Sequence, residues 1–270
     1  MRSLTQYVLF YTESFMITFD ILTIFPEMFP GYFNSSILGR AQKNKKIKIR
    51  VHNLRDYTKD KHKITDDAAY GGIPGMVMKV EPIYEGVRVV KKMAPLKVKG
   101  KTARKRVILL SAKGKVLTQK KVRELSRYDQ LIFIAGHYKG VDERVAKHIA
   151  DEELSIGEYV ITGGEVPAML VVDAVSRMIP GVIGRESSKE GESFSTGVKY
   201  EHPVYTRPAV FSPSNKGTRS TQRAGGAGGK SRGGKSKGKK VEWKVPEVLL
   251  SGDHKKIEEW RRAERDCNSA

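Results

Sequence analysis

The sequence predicts an α/β fold in which a parallel sheet is covered by helices. Short apolar segments rich in β-branched residues alternate with segments of helical spacing from residue 17 to residue 178. Such alternation is typical of parallel strands joined by helical crossovers. The chain has 270 residues, of which 39% are hydrophobic, so it can bury the core of one main domain and a small second one.

The predicted elements follow one another in a regular order. Strands are predicted at 17–25, where Pro26 ends the strand, and at 47–51, 107–110, 131–135 and 159–161. Helices are predicted at 82–92, 119–126, 142–150 and 165–178. The strands at 107–110 and 131–135 are continuously apolar, as expected for strands that helices cover on both faces.

A basic, glycine-rich insert divides the chain. Residues 214–240 contain nine Lys or Arg, eight Gly and no acidic residue, so they bury too little apolar surface to offset their chain entropy. We therefore expect a main domain at 16–200, an interdomain linker at 201–240 that includes the insert, and a short C-terminal segment at 241–270. Its charged helix, from 254 to about 265, needs a neighbour to be stable. Residues 1–15 are expected to be an N-terminal extension outside the fold.

The charge balance favours a polyanionic partner. The chain has 50 Lys and Arg against 30 Asp and Glu, a formal net charge of +20, which attracts phosphates and releases their counterions. No apolar run is long enough to cross a bilayer, so nucleic acid is a better candidate than a membrane, although composition does not separate RNA from DNA. The single cysteine, Cys267, fits a reducing cytoplasm. The six scattered histidines predict no metal site.

Three glycine-rich segments carry the functional signal, at 66–76, 135–144 and 155–167. Glycine permits positive φ and lets a backbone approach a ligand closely. The last two segments follow predicted strands at the edge where open α/β sheets bind ligands, although each taken singly is also compatible with a tight turn. The run G-K-S-R-G-G-K-S at 229–236 matches a phosphate-loop pattern but lacks the flanking strand and helix, so we discard it.

The order and spacing of these segments resemble one family. From Met16 to Arg262 the chain resembles the bacterial tRNA (guanine-N1)-methyltransferases, the TrmD family of the trefoil-knotted SPOUT superfamily. The landmarks are I-F-P-E-M-F at 24–29, the segments 70–76, 137–144, 155–167 and 175–184, Y-T-R-P at 205–208 and V-L-L-S-G-D-H at 248–254. The resemblance implies a knot in the main domain and methyl transfer from S-adenosylmethionine to N1 of the guanosine at tRNA position 37, next to the anticodon, which supports reading-frame maintenance.

The resemblance also implies a cofactor site, partners and a location. The matching cofactor-binding residues are Leu110, Ser111, Gly136, Tyr138, Ser155, Ile156, Gly157, Tyr159, Ile161, Gly163, Gly164 and Pro167. Family members are homodimers whose active site is completed by both subunits, and a Mg²⁺ requirement is implied as well. We therefore expect a cytoplasmic enzyme with tRNA as its partner, and neither DNA nor a membrane.

Two residues match the catalytic positions of the family. Guanine N1 carries a proton at neutral pH and needs a general base, and charge that builds on O6 needs a cationic donor. The resemblance assigns the base to Glu192 and the donor to Arg177. Glu192 departs from the aspartate usual in the family, Ile73 replaces a glycine, and Lys139 stands where an acid is frequent. The C-terminal segment is also shorter than in the family.

Three other functions remain open from the sequence. A different SPOUT enzyme acting on another RNA nucleotide is disfavoured by Arg177 and the loop at 191–194. An RNA-binding protein that has lost catalysis through Glu192 and the short tail would bind the cofactor without turnover. A DNA-binding structural protein accounts for the charge but not for the glycine-rich segments.

Overall fold

A computed structural model describes residues 16–72, 74–93, 97–98, 100–184, 191–195, 198–213 and 241–267. The chain divides into two compact units, the first ending at Lys189 and the second beginning at Glu190. The predicted extension at 1–15, the basic insert at 214–240 and Ile73 lie outside the described residues. The domain boundaries expected from the sequence therefore stay predictions.

Strands and helices alternate along the first unit. Its strands are β1 (Ile17–Thr23), β2 (Ile47–Asn53), β3 (Asp66–Ala68), β4 (Met76–Met78), β5 (Lys97–Val98), β6 (Lys101–Thr102), β7 (Lys105–Val116), β8 (Gln130–Ala135) and β9 (Glu152–Ser155). Its helices are α1 (Pro30–Phe33), α2 (Ser36–Lys43), α3 (Val80–Met93), α4 (Gln119–Leu125), α5 (Glu143–His148) and α6 (Glu165–Ser176), with 3-10 turns at Pro26–Met28 and Leu54–Tyr57.

Five strands form one parallel sheet in the order β2-β1-β8-β7-β9. β1 pairs with β2 on one side and β8 on the other, and all seven of its residues are buried. The pairs β3–β4 and β5–β6 are separate antiparallel ribbons. The predicted parallel sheet covered by helices is confirmed, and the knot stays a prediction.

The sheet has an apolar core on each face. Phe19 of β1 and Phe133 of β8 belong to one core, which includes buried residues of α2, α4 and α6. Leu22 and Ile132 belong to the other, with buried residues of α3 and α5. Because successive side chains of a strand point to opposite faces, an uninterrupted apolar strand supplies both cores at once. This arrangement explains why residues 107–110 of β7 and 131–135 of β8 are continuous apolar runs.

The strand predicted at 159–161 is wrong. Those residues lie in a loop, where Val160 is 89% exposed, and the edge strand is β9 instead. Glu152 of β9 forms ion pairs with Arg106 at 3.0 Å and Lys121 at 2.6 Å. The acidic residues of β9, Glu152 and Glu153, explain why the strand was not predicted, because charged side chains on an edge strand remove the apolar pattern.

A bulge makes β7 longer than the predicted strand at 107–110. Both Leu110 and Lys115 align with Leu154 of β9, so the four residues between them leave the ladder. Gly114 lies in this bulge, and a Cβ atom there would be 2.4 Å from the backbone nitrogen of Leu154. A side chain at this position would thus separate β7 from β9.

The second unit contains short elements. They are β10 (Val210–Phe211), β11 (Trp243–Lys244), α7 (Glu247–Leu250) and α8 (His254–Cys267), and α8 confirms the predicted charged helix. Phe211 pairs with Trp243 across the β10–β11 ribbon. The Trp260 ring centroid of α8 lies 6.3 Å from that of Tyr205. None of the described side chains of this unit is buried.

Candidate active site

A cleft of about 290 Å³ opens at the carboxyl ends of β7, β8 and β9. Its walls are the β7 bulge, the loop after β8, and the loop between β9 and α6. This is the sheet edge at which open α/β folds bind ligands. The twelve residues predicted to bind the cofactor all line this cleft: Leu110, Ser111, Gly136, Tyr138, Ser155, Ile156, Gly157, Tyr159, Ile161, Gly163, Gly164 and Pro167. The structure brings them together, while their role stays a prediction.

Positive backbone torsions shape the cleft walls. φ is +59° at Tyr138, +128° at Gly140 and +157° at Gly157. Glycine adopts such values freely, whereas a residue with a side chain held there costs about 1–3 kcal/mol. The conformation of Tyr138 is therefore strained, and the surrounding structure has to hold it.

Gly164 lets two cleft walls touch. Its N–H donates to the carbonyl oxygen of Gly136 at 2.7 Å, and a Cβ atom at Gly164 would lie 2.6 Å from Cα of Ala135. That separation is far below van der Waals contact, and the opposing atoms are backbone. Gly164 is thus required by packing, whatever ligand the cleft accepts.

A second tight turn surrounds Gly157. The Ser155 hydroxyl donates to the Gly157 carbonyl oxygen at 2.9 Å and accepts from the Gly157 N–H at 3.2 Å. A Cβ atom at Gly157 would lie 2.3 Å from Cε1 of Tyr159, so the tyrosine ring packs directly on the glycine. This part of the cleft wall is therefore held by its own hydrogen bonds and covered by an aromatic ring.

A buried carboxylate lines a second, neighbouring pocket of about 560 Å³, which shares residues with the cleft. Glu165, the first residue of α6, is 1% exposed and accepts a 2.8 Å hydrogen bond from the Thr23 hydroxyl. His137 lines both cavities, and its Nδ1 lies 3.6 Å from Oε2 of Glu165. Glu165 is not among the site residues expected from the sequence. Its signal was an acidic residue at the start of an otherwise apolar helix.

Lysines lie at the mouth of the cleft. Lys113 forms an exposed ion pair with Glu143 at 3.3 Å. Lys139 is exposed, and its aliphatic chain packs over Gly75, where a Cβ atom would be 2.8 Å from Cγ of the lysine. Lys139 thus links the cleft to the loop between β3 and β4, in addition to giving the mouth a positive charge.

The two predicted catalytic residues fall in different units. Arg177 follows the last residue of α6, is half-buried, and its backbone N–H donates to the Asp173 carbonyl oxygen at 3.1 Å. Glu192 is a half-buried residue of the second unit, in a turn where its carbonyl oxygen accepts from the Ser195 N–H at 3.0 Å. Gly191, directly before it, has φ of +77°. Joint action of Arg177 and Glu192 stays a prediction.

An apolar patch lies beside α6. Val166 and Leu170, one helical turn apart, are both exposed, as are Met28 and Tyr32. The Tyr32 hydroxyl donates to the Asp173 carboxylate. This hydrogen bond, with burial and the nearby negative charge, raises the pKa of Tyr32 to about 12. The bond ties the 3-10 turn and α1 region to the exposed face of α6.

Across the described residues, no group of three or more His, Cys, Asp or Glu side chains is arranged to hold a metal ion. No helix in the described part of the chain has both the length and the apolar character of a membrane span.

Comparisons with known proteins agree on one family. The family model described as tRNA (Guanine-1)-methyltransferase TrmD matches residues 17–217. The chain is 44% identical over 245 residues to a tRNA (guanine-N(1)-)-methyltransferase of Dehalococcoides mccartyi, covering 91% of this chain and 84% of that protein. It is 45% identical over 246 residues to a Bacillus cereus protein of the same description, covering 91% and 85%. The crystal structure of tRNA (m1G37) methyltransferase from Aquifex aeolicus matches with a TM-score of 0.65 and 36% identity, covering 94% of this chain and 91% of that one.

Proposed function

Because the chain belongs to the tRNA (guanine-N1)-methyltransferase family, we propose that it transfers a methyl group from S-adenosylmethionine to N1 of the guanosine at position 37 of tRNA. The observation that carries this proposal is the convergence of all twelve predicted cofactor residues on one cleft. The modified guanosine lies next to the anticodon, so its methylation supports reading-frame maintenance.

The cleft residues fit S-adenosylmethionine. Apolar side chains of Leu110 and Ile156 and the Tyr159 ring line the cleft and offer contacts to a nucleoside. When bound, the cofactor supplies an electrophilic methyl group on a sulfonium. The residues of the cleft hold it, orient it and exclude water.

Glu192 and Arg177 carry the proton and charge chemistry of the proposal. Glu192 accepts the N1 proton of guanine, which makes N1 nucleophilic. Arg177 donates hydrogen bonds to O6, where negative charge develops. A glutamate in place of aspartate extends the carboxylate by about 1.5 Å, so the turn at Gly191 has to set the base further from the guanine than an aspartate would require.

A homodimer accounts for the placement of these two residues. In the proposed assembly, Glu192 of one subunit completes the site that contains Arg177 of the other. The apolar patch of Met28, Tyr32, Val166 and Leu170 supports this proposal, because contiguous exposed apolar side chains mark interaction surfaces.

The tRNA contacts are proposed to be mainly electrostatic. Exposed basic residues of the first unit include Arg40, Lys43, Lys48, Lys61 and Lys63, and each phosphate contact adds about 0.7–0.9 to the slope of log affinity against log salt. The basic insert at 214–240 adds further phosphate contacts or serves as a solvated linker. We place the enzyme in the cytoplasm, with its tRNA substrate.

Magnesium is assigned no position. The family resemblance implies a Mg²⁺ requirement, yet the described residues offer no cluster of ligands that fits a resident ion.

Transfer of labelled methyl to an unmodified tRNA transcript tests the proposal. A matched transcript carries adenosine instead of guanosine at position 37. We expect label with the guanosine transcript alone, and mapping of that label to N1. Bound S-adenosylmethionine with no label on either transcript would instead indicate an inactive RNA-binding protein or a different RNA target.

A further inference from the structure

His137 lies in the wall between the cleft and the neighbouring pocket, directly before the strained Tyr138. We propose that His137 is a positioning residue, whose imidazole pairs with the buried Glu165 carboxylate and thereby holds the Tyr138 backbone in the form that accepts the cofactor. This inference rests on the proposed function, because it assigns a residue that prepares the S-adenosylmethionine site.

The Glu165 carboxylate is a fixed anchor for this pair. It is almost fully buried and lies in the first turn of α6, where the helix dipole favours a negative charge. Its Oε1 atom accepts the hydrogen bond from Thr23 at the end of β1. The other oxygen, Oε2, faces His137. The anchor thus connects β1 and α6 to the loop that follows β8.

The His137 ring has a buried polar atom that requires a partner. Its Nδ1 is inaccessible to solvent and makes no hydrogen bond, a costly arrangement for a nitrogen inside a protein. Oε2 of Glu165 lies 3.6 Å away, a few tenths of an ångström beyond hydrogen-bond length. Hydrogen bonds in active sites often reach full length only in the complex. Cofactor binding is therefore expected to close this gap.

Gly163 makes the pairing sterically possible. A Cβ atom at this position would lie 2.3 Å from Oε2 of Glu165 and 2.4 Å from Nδ1 of His137. The glycine leaves open the space through which imidazole and carboxylate face each other. Edge contact between His137 and Phe25, with ring centroids 4.8 Å apart, fixes the imidazole from another side.

Backbone contacts hold the same loop against β4. The His137 N–H donates to Sδ of Met78 at 3.1 Å, and the Lys139 N–H donates to the Met76 carbonyl oxygen at 3.1 Å. Tyr138 therefore lies between two residues tied to β4, and His137 adds a side-chain tie to α6. A strained torsion persists only where the surroundings over-determine it, so loss of the side-chain tie should relax Tyr138.

The test is equilibrium binding of S-adenosylmethionine to the tRNA-free full chain, with steady-state kinetics of each variant. We expect His137→Leu to bind the cofactor about tenfold more weakly. Its kcat at saturating cofactor and its KM for tRNA should stay within about twofold of wild type. His137→Asn, which retains a donor near the Nδ1 position, should restore most of the affinity. If His137 served only to stabilise the fold, His137→Leu would not weaken cofactor binding while leaving kcat unchanged. His137→Asn would then not restore the affinity.

Glu165→Gln and the double variant measure the coupling. Glu165→Gln alone should weaken cofactor binding, and adding it to His137→Leu should cause little further loss, because both changes remove one interaction. His148→Leu, at an exposed histidine of α5, is the matched control and should bind normally. Wild-type affinity in His137→Leu or Glu165→Gln, or full additivity of their losses, would overturn the inference. Failure of the wild-type chain to bind S-adenosylmethionine would instead refute the proposed function.

Discussion

The first unit buries apolar side chains on both faces of its sheet, whereas no described side chain of the second unit is buried. The proposed functions are also divided between the two units. The cofactor cleft is formed within the first unit by packed strands and backbone contacts, and the predicted base Glu192 lies in the second. Under this proposal, the walls of the cofactor cleft belong to the first unit, whereas the proposed base belongs to a unit without a buried side chain among its described residues.

Hydrogen exchange should show the largest contrast. Amides of β1 and β8, which are interior strands of the sheet, should exchange only through global unfolding and be protected by a factor of about 10⁴ or more. Amides of α8 should exchange with little protection in the absence of tRNA and slow down when tRNA is added. Mass spectrometry of peptides covering both regions checks this. Equal protection of α8 and β1 in the free protein would contradict the comparison.

Glu192→Gln should impair methyl transfer and leave cofactor binding intact. We expect kcat to fall by about 10²–10⁴-fold, the usual contribution of a general base, with unchanged affinity for S-adenosylmethionine. Steady-state methylation and equilibrium binding measure the two quantities. Glu201→Gln, at an exposed acid of the same unit, should methylate normally. Normal turnover in Glu192→Gln would exclude this residue as the base.

Asp20→Asn should weaken the first unit from within its core. Asp20 is fully buried and accepts from Arg50 at 2.6 and 2.8 Å and from Gln130 at 2.7 Å, with His52 at 2.8 Å. Removing one partner of a buried charged network lowers the free energy of unfolding by about 3 kcal/mol. Urea unfolding at neutral pH measures the loss. Asp56→Asn, at an exposed ion pair with Lys63, should change the free energy of unfolding by less than about 1 kcal/mol.

The pH dependence of unfolding gives a sharper version of this prediction. Burial alone would raise the pKa of Asp20, but hydrogen bonds from His52, Arg50 and Gln130 and the charge of Arg50 bring the pKa below its ordinary value. The folded pKa is then lower than the unfolded one, near 4. The resulting stability is present above that pH and is lost as pH falls through the folded pKa. Asp20→Asn should lack this acid-dependent loss, and a loss as large as in wild type would assign it to other carboxylates.

Gly164→Ala should have a smaller effect, centred on the cleft. The new methyl group would meet the backbone of Ala135 and Gly136, and such overpacking costs about 1–3 kcal/mol. Thermal unfolding and cofactor binding should both be impaired. Gly184→Ala is the control, because a Cβ atom there meets nothing within 4 Å. Similar unfolding temperatures for the two variants would show that the cleft walls can separate without cost.

The sequence predicted best where local chemistry alone decides the structure. Apolar runs at 107–110 and 131–135 identified buried parallel strands, because burial on both faces leaves no polar positions. Glycines at 136, 157, 163 and 164 marked the cleft, because a Cβ atom at each of them would lie less than 3.0 Å from a neighbouring side chain or backbone atom. Resemblance to the family then grouped these positions into one site.

Interactions between distant residues set the limit of sequence reasoning. Asp20 and Gln130 are 110 residues apart, and Thr23 and Glu165 are 142 apart, so neither pair is visible before the strands and helices are placed. β9 was missed for a related reason. Its Glu152 is paired with Arg106 and Lys121, which come from other elements and cannot be matched to it from the sequence.

The position of β1 in the sheet has a consequence for synthesis of the protein. β1 lies between β2 and β8, and Asp20 and its neighbour Gln130 are separated by 110 residues. At 5–20 residues per second, translation takes roughly 5–20 s to deliver the strand that covers the open edge of β1. During that interval the nascent chain displays an apolar, unpaired strand edge, which is a template for aggregation. Production of the enzyme should therefore depend on chaperones that bind nascent chains, even if the folded protein is stable.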